Sequence, residues 1–135
     1  MKGDIQMKRL GWLFLAGALV AGTARAGDFD GSKKLICAPA VAMDCAAGDE
    51  CLRGMPDDMG APTFIRIDFD KKEVKGTNRT SPVLHMEKTP EQVLLLGVEV
   101  GVGWTIAIDS ESGHMHVTMA GKDGAFVLIG SCTPL

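Results

Sequence analysis

The 135-residue sequence has no tyrosine, only three histidines and no excess of basic residues. Its formal net charge is −3, which argues against a general nucleic-acid binder, because such proteins carry a basic surface. It also lacks a nucleophile elbow, an H-E-x-x-H pair and a glycine-rich phosphate loop. These absences leave few side chains for acid–base chemistry, so we expect a protein without enzymatic activity and without a cofactor.

Long apolar runs are also missing, and the longest uncharged segment lies near the N-terminus. The basic pair Lys8-Arg9 precedes an uncharged stretch over residues 10–23, and Ala24-Arg25-Ala26 then places small residues where signal peptidase requires them. A membrane span needs about 20 apolar residues, and this run is shorter. We therefore predict a signal peptide over residues 1–26, export of a single domain over residues 27–135 to the periplasm or the medium, and no membrane association after cleavage.

Removal of this leader changes the charge of the chain. Four of the 14 basic residues and one of the 17 acidic residues lie in it, so the remaining 109 residues carry a formal charge of −6. Trp12 is also in the leader, which leaves Trp104 as the only tryptophan of the exported part. The exported part is thus an acidic chain with the length of one domain.

All four cysteines lie beyond the leader, at positions 37, 45, 51 and 132. An even number of cysteines in a small exported domain predicts two disulfides, for which three pairings exist. If residues 35–43 form a strand, Cys37 and Cys45 are about 26 Å apart at about 3.3 Å per residue, which is too far to bond. That favours the pairings Cys45–Cys51 and Cys37–Cys132. A zinc site or a redox pair fits worse, because no C-x2-C or C-x4-C spacing is present.

Short stretches with alternating apolar and polar residues, separated by turn signals, fill the chain from residue 63 onward. Residues 76–82 are predicted as a polar loop and residues 55–60 as one helical turn. The alanine-rich stretch 38–47 suits a helix as well as a strand, and we favour the strand. We predict about eight strands, over residues 35–43, 64–69, 73–75, 83–88, 93–100, 104–109, 114–120 and 125–132.

Short strands, short connections and no long helical pattern predict an all-β fold, either a barrel or a sandwich. We favour a small antiparallel barrel with a lipocalin-like outline and two disulfides. A barrel has no free edges, and a Cys37–Cys132 bond would join the first strand to the last, where a barrel closes. Side chains fill most of the interior of so small a barrel, so a large ligand cavity is not assured.

His114 and His116 are the candidate metal ligands. Residues two apart on a strand share a face, and such an imidazole pair can chelate copper or zinc. Met115 and Met119 lie nearby in sequence, but the pleat directs them to the opposite face. The alternative is a solvent-exposed pair without a metal, and we predict a structural or surface role for His85.

Asp109, Ser110 and Ser112 lie in the hairpin loop that precedes His114. Together they contain the residue types of a hydrolase site. Hairpin loops use the same residues for their own turn geometry, so we predict a structural role for this group.

Two predicted strands are apolar on both faces, over residues 93–96 and 126–129. A strand with one face in water should instead alternate. Either the loop over residues 44–62 covers the outer face, or that face meets a partner protein or a second copy in a homodimer. The sequence leaves both alternatives open.

Several short stretches carry a resemblance to known proteins. They are Phe29-Asp30-Gly31-Ser32 before Leu35-Ile36-Cys37, then Cys45 and Cys51, Gly103-Trp104 before Ile108-Asp109, Ser112-Gly113-His114-Met115, and Phe126-Val127-Leu128-Ile129-Gly130-Ser131-Cys132. Through them, most of residues 28–134 resembles a family of small exported proteins of Gram-negative bacteria that has no assigned function. The size, export and disulfides are also similar to those of periplasmic barrel inhibitors of proteases and lysozymes, although the lysozyme-inhibitor type uses a tyrosine that this chain lacks.

We therefore expect a non-enzymatic periplasmic module that binds a partner protein or a small apolar ligand. A metal-binding protein that uses His114 and His116, and an enzyme inhibitor of the small-barrel type, are the alternatives.

Overall fold

The computed structural model describes residues 27–46 and 50–135 of the chain. The predicted signal peptide lies outside the described residues. The described part consists of ten β-strands and one short 3₁₀ helix. The strands are β1 (Leu35–Ala46), β2 (Leu52–Gly54), β3 (Ile65–Asp68), β4 (Glu73–Lys75), β5 (Thr80–Pro82), β6 (His85–Lys88), β7 (Gln92–Glu99), β8 (Val102–Asp109), β9 (His114–Gly121) and β10 (Gly124–Pro134), and the helix is Asp57–Met59.

All ten strands belong to one antiparallel sheet, which curls into a half-barrel. Nine of them follow the order β5-β4-β3-β1-β10-β9-β8-β7-β6, and β2 pairs with β1 beside this path. The predicted all-β class and barrel-like outline are confirmed, with one curled sheet in place of the two sheets of a sandwich.

The first and last strands pair with each other along most of their length. Cys37 lies directly opposite Cys132 in this pairing, and the two are bonded. The second disulfide joins Cys45 to Cys51, so both predicted pairings are confirmed. However, β1 and β10 lie in the middle of the strand order, so the Cys37–Cys132 bond reinforces the centre of the sheet and does not join its edges.

The edges of the sheet are β5 and β6, which follow each other in the chain. The two residues between them, Val83 and Leu84, form backbone hydrogen bonds to two different parts of the sheet, one beside β4 and one in β7. The Val83 backbone N–H donates to the Lys72 carbonyl, and the Leu84 N–H donates to the Leu96 carbonyl, each at 2.8 Å. Residues of β5 also lie close to β7. We call the junction between β5 and β7 the seam.

Two three-residue strands are absent from the sequence prediction of about eight strands. Thr80–Pro82 forms β5 within the predicted loop 76–82, which was therefore wrong at its C-terminal end. Proline is tolerated there because an edge strand leaves one row of N–H groups unpaired. Leu52–Gly54 forms β2 against β1. The alanine-rich stretch is a strand up to Ala46, because pairing with β10 outweighs the weak helix preference of alanine.

The concave face of the half-barrel carries the core. Inward and outward positions alternate along β7, β8 and β9, as the period-2 pattern predicts. The best-buried side chains of the core are Leu35, Ile67, Leu95, Ile106, Ile108, Met115, Leu128, Val93 and Cys37.

The convex face retains the apolar residues noted in the sequence. Leu94, Leu96, Val127 and Ile129 are each half-buried there. Within the 44–62 region, β2 extends the sheet beside β1, while Met59 and Ala61 pack against the core. These described residues of the loop therefore do not cover the convex face near β7, and an interaction of that face with a partner or a second copy stays a prediction.

The β7–β8 hairpin contains a strained residue at its tip. Val100 has φ 49° and Gly101 has φ 79°, the left-handed pair of a two-residue turn that favours Asn-Gly. A β-branched side chain is poorly suited to this conformation. Val100 is also 78% exposed, so little burial offsets the strain.

Replacing Val100 by asparagine is expected to raise the free energy of unfolding by about 1 kcal/mol, because asparagine tolerates the left-handed conformation. Urea denaturation of both proteins measures the difference. Val102→Asn serves as the control, since this residue lies on β8 without a positive φ and should gain nothing. A gain of equal size in both variants would show that exposure, and not backbone strain, is responsible.

Candidate ligand-binding cavity

A cavity of about 530 Å³ opens on the concave side of the half-barrel. Its size falls within the range of about 300–1,000 Å³ that is typical of small-molecule sites. Three of the lining residues are small (Gly60, Ala61 and Gly76), so their side chains leave this space unfilled. The floor and walls are apolar and are formed by Ile65, Trp104, Ile106, Val117, Met119 and Leu128.

Polar side chains gather at one edge of this cavity. They come from the 3₁₀ helix and its following loop, from the β4–β5 loop, from the middle of β5 and from the last residue of β7. The polar lining residues are Asp57, Thr63, Thr77, Asn78, Arg79, Ser81 and Glu99.

Glu99 contacts two of these polar residues, Ser81 and Arg79. Its Oε2 accepts a hydrogen bond of 2.6 Å from the Ser81 hydroxyl, which is nearly buried. The Arg79 Nη1 lies 3.8 Å from its Oε1. The Ser81–Glu99 bond crosses the seam, so it holds the edge strand β5 against β7 and fixes the carboxylate at the cavity edge.

Trp104 forms part of the cavity wall. It lies opposite Gly97 in the β7–β8 pairing, and its indole occupies the space that a side chain at position 97 would need. A Cβ on Gly97 would be 2.1 Å from Cζ2 of the indole. Trp104 is only 8% exposed, and its Nε1 has no hydrogen-bond partner among the described residues. Buried N–H groups are normally paired with protein or water, so the wall of the cavity holds one unused donor.

The histidines lie on the opposite side of the sheet from this cavity. His114 and His116 are exposed on the convex face, and Met115 between them is buried, as the pleat predicts. Their neighbours supply no third ligand: no group of three or more His, Cys, Asp or Glu in the described part is placed to hold a metal. Metal binding by the pair alone stays a prediction. His85 is exposed, in agreement with the predicted surface role.

The Asp109 hairpin is occupied by its own turn. Asp109 Oδ1 accepts bonds from the Ser112 N–H at 2.7 Å, the Ser112 hydroxyl at 2.8 Å and the Glu111 N–H at 3.0 Å. The bonds from the backbone and the hydroxyl of Ser112 hold the pKa of Asp109 below its usual value. The Asp109 carboxylate and Ser112 therefore stabilise the loop, which agrees with the structural role predicted for them.

Sequence reasoning did not find the group at the cavity edge. Glu99 lies in a predicted strand that is otherwise mainly apolar, and Ser81 and Arg79 lie in the predicted loop 76–82. One signal was available: Val93, Leu95, Gly97 and Glu99 alternate on the inner face of β7, so a carboxylate follows three apolar or small inward positions.

Comparison of the chain with protein-family models, with curated proteins and with solved structures finds no match. The resemblance to a family of small exported proteins therefore stays a prediction. The two disulfides indicate an oxidising location outside the cytoplasm. None of the helical structure in the described part is long and apolar enough to cross a membrane.

Proposed function

We propose that this protein is a non-enzymatic periplasmic or secreted binding protein that holds a small, mainly apolar molecule in the concave cavity. The observation that carries the proposal is the composition of the cavity, which has an apolar floor and a few polar groups at one edge. Ligand sites have this composition because burial of apolar surface supplies affinity while a few polar groups set orientation.

The rest of the chain supports this role. The two disulfides suit an oxidising compartment, and the signal-peptide pattern in residues 1–26 supports export. The Asp109 hairpin has the residue types of a hydrolase site, but its carboxylate accepts hydrogen bonds from Ser112 within the turn. A preformed cavity in a cross-linked sheet also limits the ordering cost of binding.

The test uses the neutral fluorescent probe N-phenyl-1-naphthylamine with the purified exported protein. We expect saturable binding at one site, accompanied by a change in tryptophan emission, because Trp104 lies in the cavity wall. Isothermal titration calorimetry measures the stoichiometry. Displacement of the probe by 1-decanol checks that an aliphatic chain uses the same site.

Two matched variants locate the site. Ala61→Phe places a large side chain in the cavity lining and should weaken probe binding at least about tenfold. Ala120→Phe makes the same change on the other side of the sheet, in a smaller recess near Leu84 and Val98, and should leave binding unchanged. Near-ultraviolet circular dichroism confirms that both variants are folded. Absence of saturable binding, or loss of binding only in the Ala120 variant, would overturn the proposal.

A further inference from the structure

We infer that the cavity takes an amphipathic cation, a molecule with an apolar body and a protonated amine that binds Glu99. This inference rests on the proposed function and adds the chemical class of the ligand. It comes from the charges at the cavity edge, from the exposure of each charged group and from the position of the indole.

Negative charge predominates among the described residues that line the cavity. Asp57 and Glu99 supply two carboxylates, and Arg79 supplies the single cation of this lining. The Arg79–Glu99 separation of 3.8 Å is longer than a hydrogen bond. The arginine side chain is 65% exposed, against 31% for the glutamate, and ion pairs that involve so exposed a group are weak. Arg79 therefore leaves the charge of Glu99 available to a ligand.

The hydrogen bond from Ser81 positions the Glu99 carboxylate to accept a second hydrogen bond from such a ligand. Ser81 donates to Oε2, whereas the described residues form no hydrogen bond to Oε1, which lies 3.8 Å from the Arg79 Nη1. A partly buried carboxylate that keeps an open acceptor favours a charged donor, since charge-assisted hydrogen bonds are roughly twice as strong as neutral ones. An ammonium group supplies that donor, whereas a carboxylate head group would be repelled by the charge of Glu99.

The indole and the floor fit the other parts of the same molecule. Gly97 precedes Glu99 by two residues on the inner face of β7 and pairs with Trp104 on β8, so the indole and the carboxylate are diagonal neighbours on one wall. A cation beside Glu99 is then also within reach of an aromatic ring. The apolar body lies over Ile106, Val117 and Leu128. The formal charge of −6 on residues 27–135 further attracts cations to the protein.

The experiment compares three probes of equal chain length: decylammonium, 1-decanol and decanoate. Each displaces N-phenyl-1-naphthylamine from the exported protein at pH 7 and low ionic strength. The two ionic probes are kept below their micelle concentrations and 1-decanol is kept below its solubility limit. We expect decylammonium to bind at least about tenfold more tightly than decanol, and decanoate to bind most weakly. Added salt should reduce the advantage of decylammonium and leave decanol unaffected.

Variants then assign the effect to one carboxylate. Glu99→Gln keeps an acceptor for Ser81 but removes the charge, so decylammonium should fall to the affinity of decanol. Glu111→Gln removes an equal charge from the loop at the other end of β8 and should preserve the ranking of the probes. Arg79→Gln removes the competing cation and should maintain or tighten decylammonium binding.

Two kinds of failure are distinguishable. Decanoate binding as tightly as decylammonium, an unchanged ranking in Glu99→Gln, or an equal loss in Glu111→Gln would overturn the inference and leave cavity binding intact. Failure of all three probes to bind the unaltered protein would overturn the proposed function itself. The ranking in the unaltered protein needs no variant, so a folding defect in Glu99→Gln does not remove the test.

Discussion

Removing the Cys37–Cys132 disulfide by the double change Cys37→Ala/Cys132→Ala is expected to lower the free energy of unfolding by about 4–5 kcal/mol. The bond joins residues 95 positions apart, so it restricts most of residues 27–135 in the unfolded state. Both side chains are also in the core, with 0% and 6% exposure. Guanidinium denaturation of the oxidised protein and the variant measures the loss.

The second disulfide supplies the control for this prediction. Cys45 and Cys51 are six positions apart, and the same chain-entropy relation gives about 2.4 kcal/mol for so short a loop. The double change Cys45→Ala/Cys51→Ala should therefore cost about half as much. Equal losses in the two variants would show that loop length does not set the contribution of the long-range bond.

The pairing of these cysteines is the part of the fold that the sequence predicted best, for a physical reason. A strand of known rise per residue excludes a Cys37–Cys45 bond, which removes one of the three possible pairings and favours the one observed. The side-chain period of two likewise places Met115 inside and His116 outside. Such inferences need only local geometry, which the sequence contains.

The short edge strands needed information that local sequence lacks. Leu52–Gly54 and Thr80–Pro82 are three residues long, too short for alternation to appear. They are strands because β1 and β4 offer them backbone partners. A pattern-based prediction therefore treats them as loops, and the predicted number of strands is too small.

The cavity could not be predicted from the sequence, because it is a space that the side chains of the folded core leave open. Alternation shows that Ile106 and Val117 face inward, but it does not show that the space in front of them stays open. Ser81 and Glu99 are 18 residues apart, and only the curl of the sheet brings them together across the seam. The polar edge of the site is thus a product of tertiary structure.

Gly130→Ala is expected to destabilise the protein by about 3 kcal/mol, the second-largest effect, because the added methyl group overpacks a site with no room to relax. Gly130 pairs with Pro39 at the irregularity between β1 and β10. A Cβ on Gly130 would lie 2.2 Å from the Ala38 carbonyl oxygen and 2.8 Å from the Pro39 Cα. These are backbone atoms, so no side-chain rotation relieves the overlap. Urea denaturation measures the loss.

Gly103→Ala separates this crowding from the general effect of replacing a strand glycine. Gly103 lies on β8, and the nearest atom to a Cβ there is the Ala120 carbonyl oxygen at 3.9 Å. Neither glycine has a positive φ, so the two substitutions differ mainly in the space around the methyl group. The Gly103 variant should be neutral or gain about 0.5 kcal/mol through lower entropy of the unfolded chain. A Gly130 variant as stable as the Gly103 variant would mean that the β1–β10 irregularity shifts to admit a methyl group, and that the register of the two central strands is adjustable at this point.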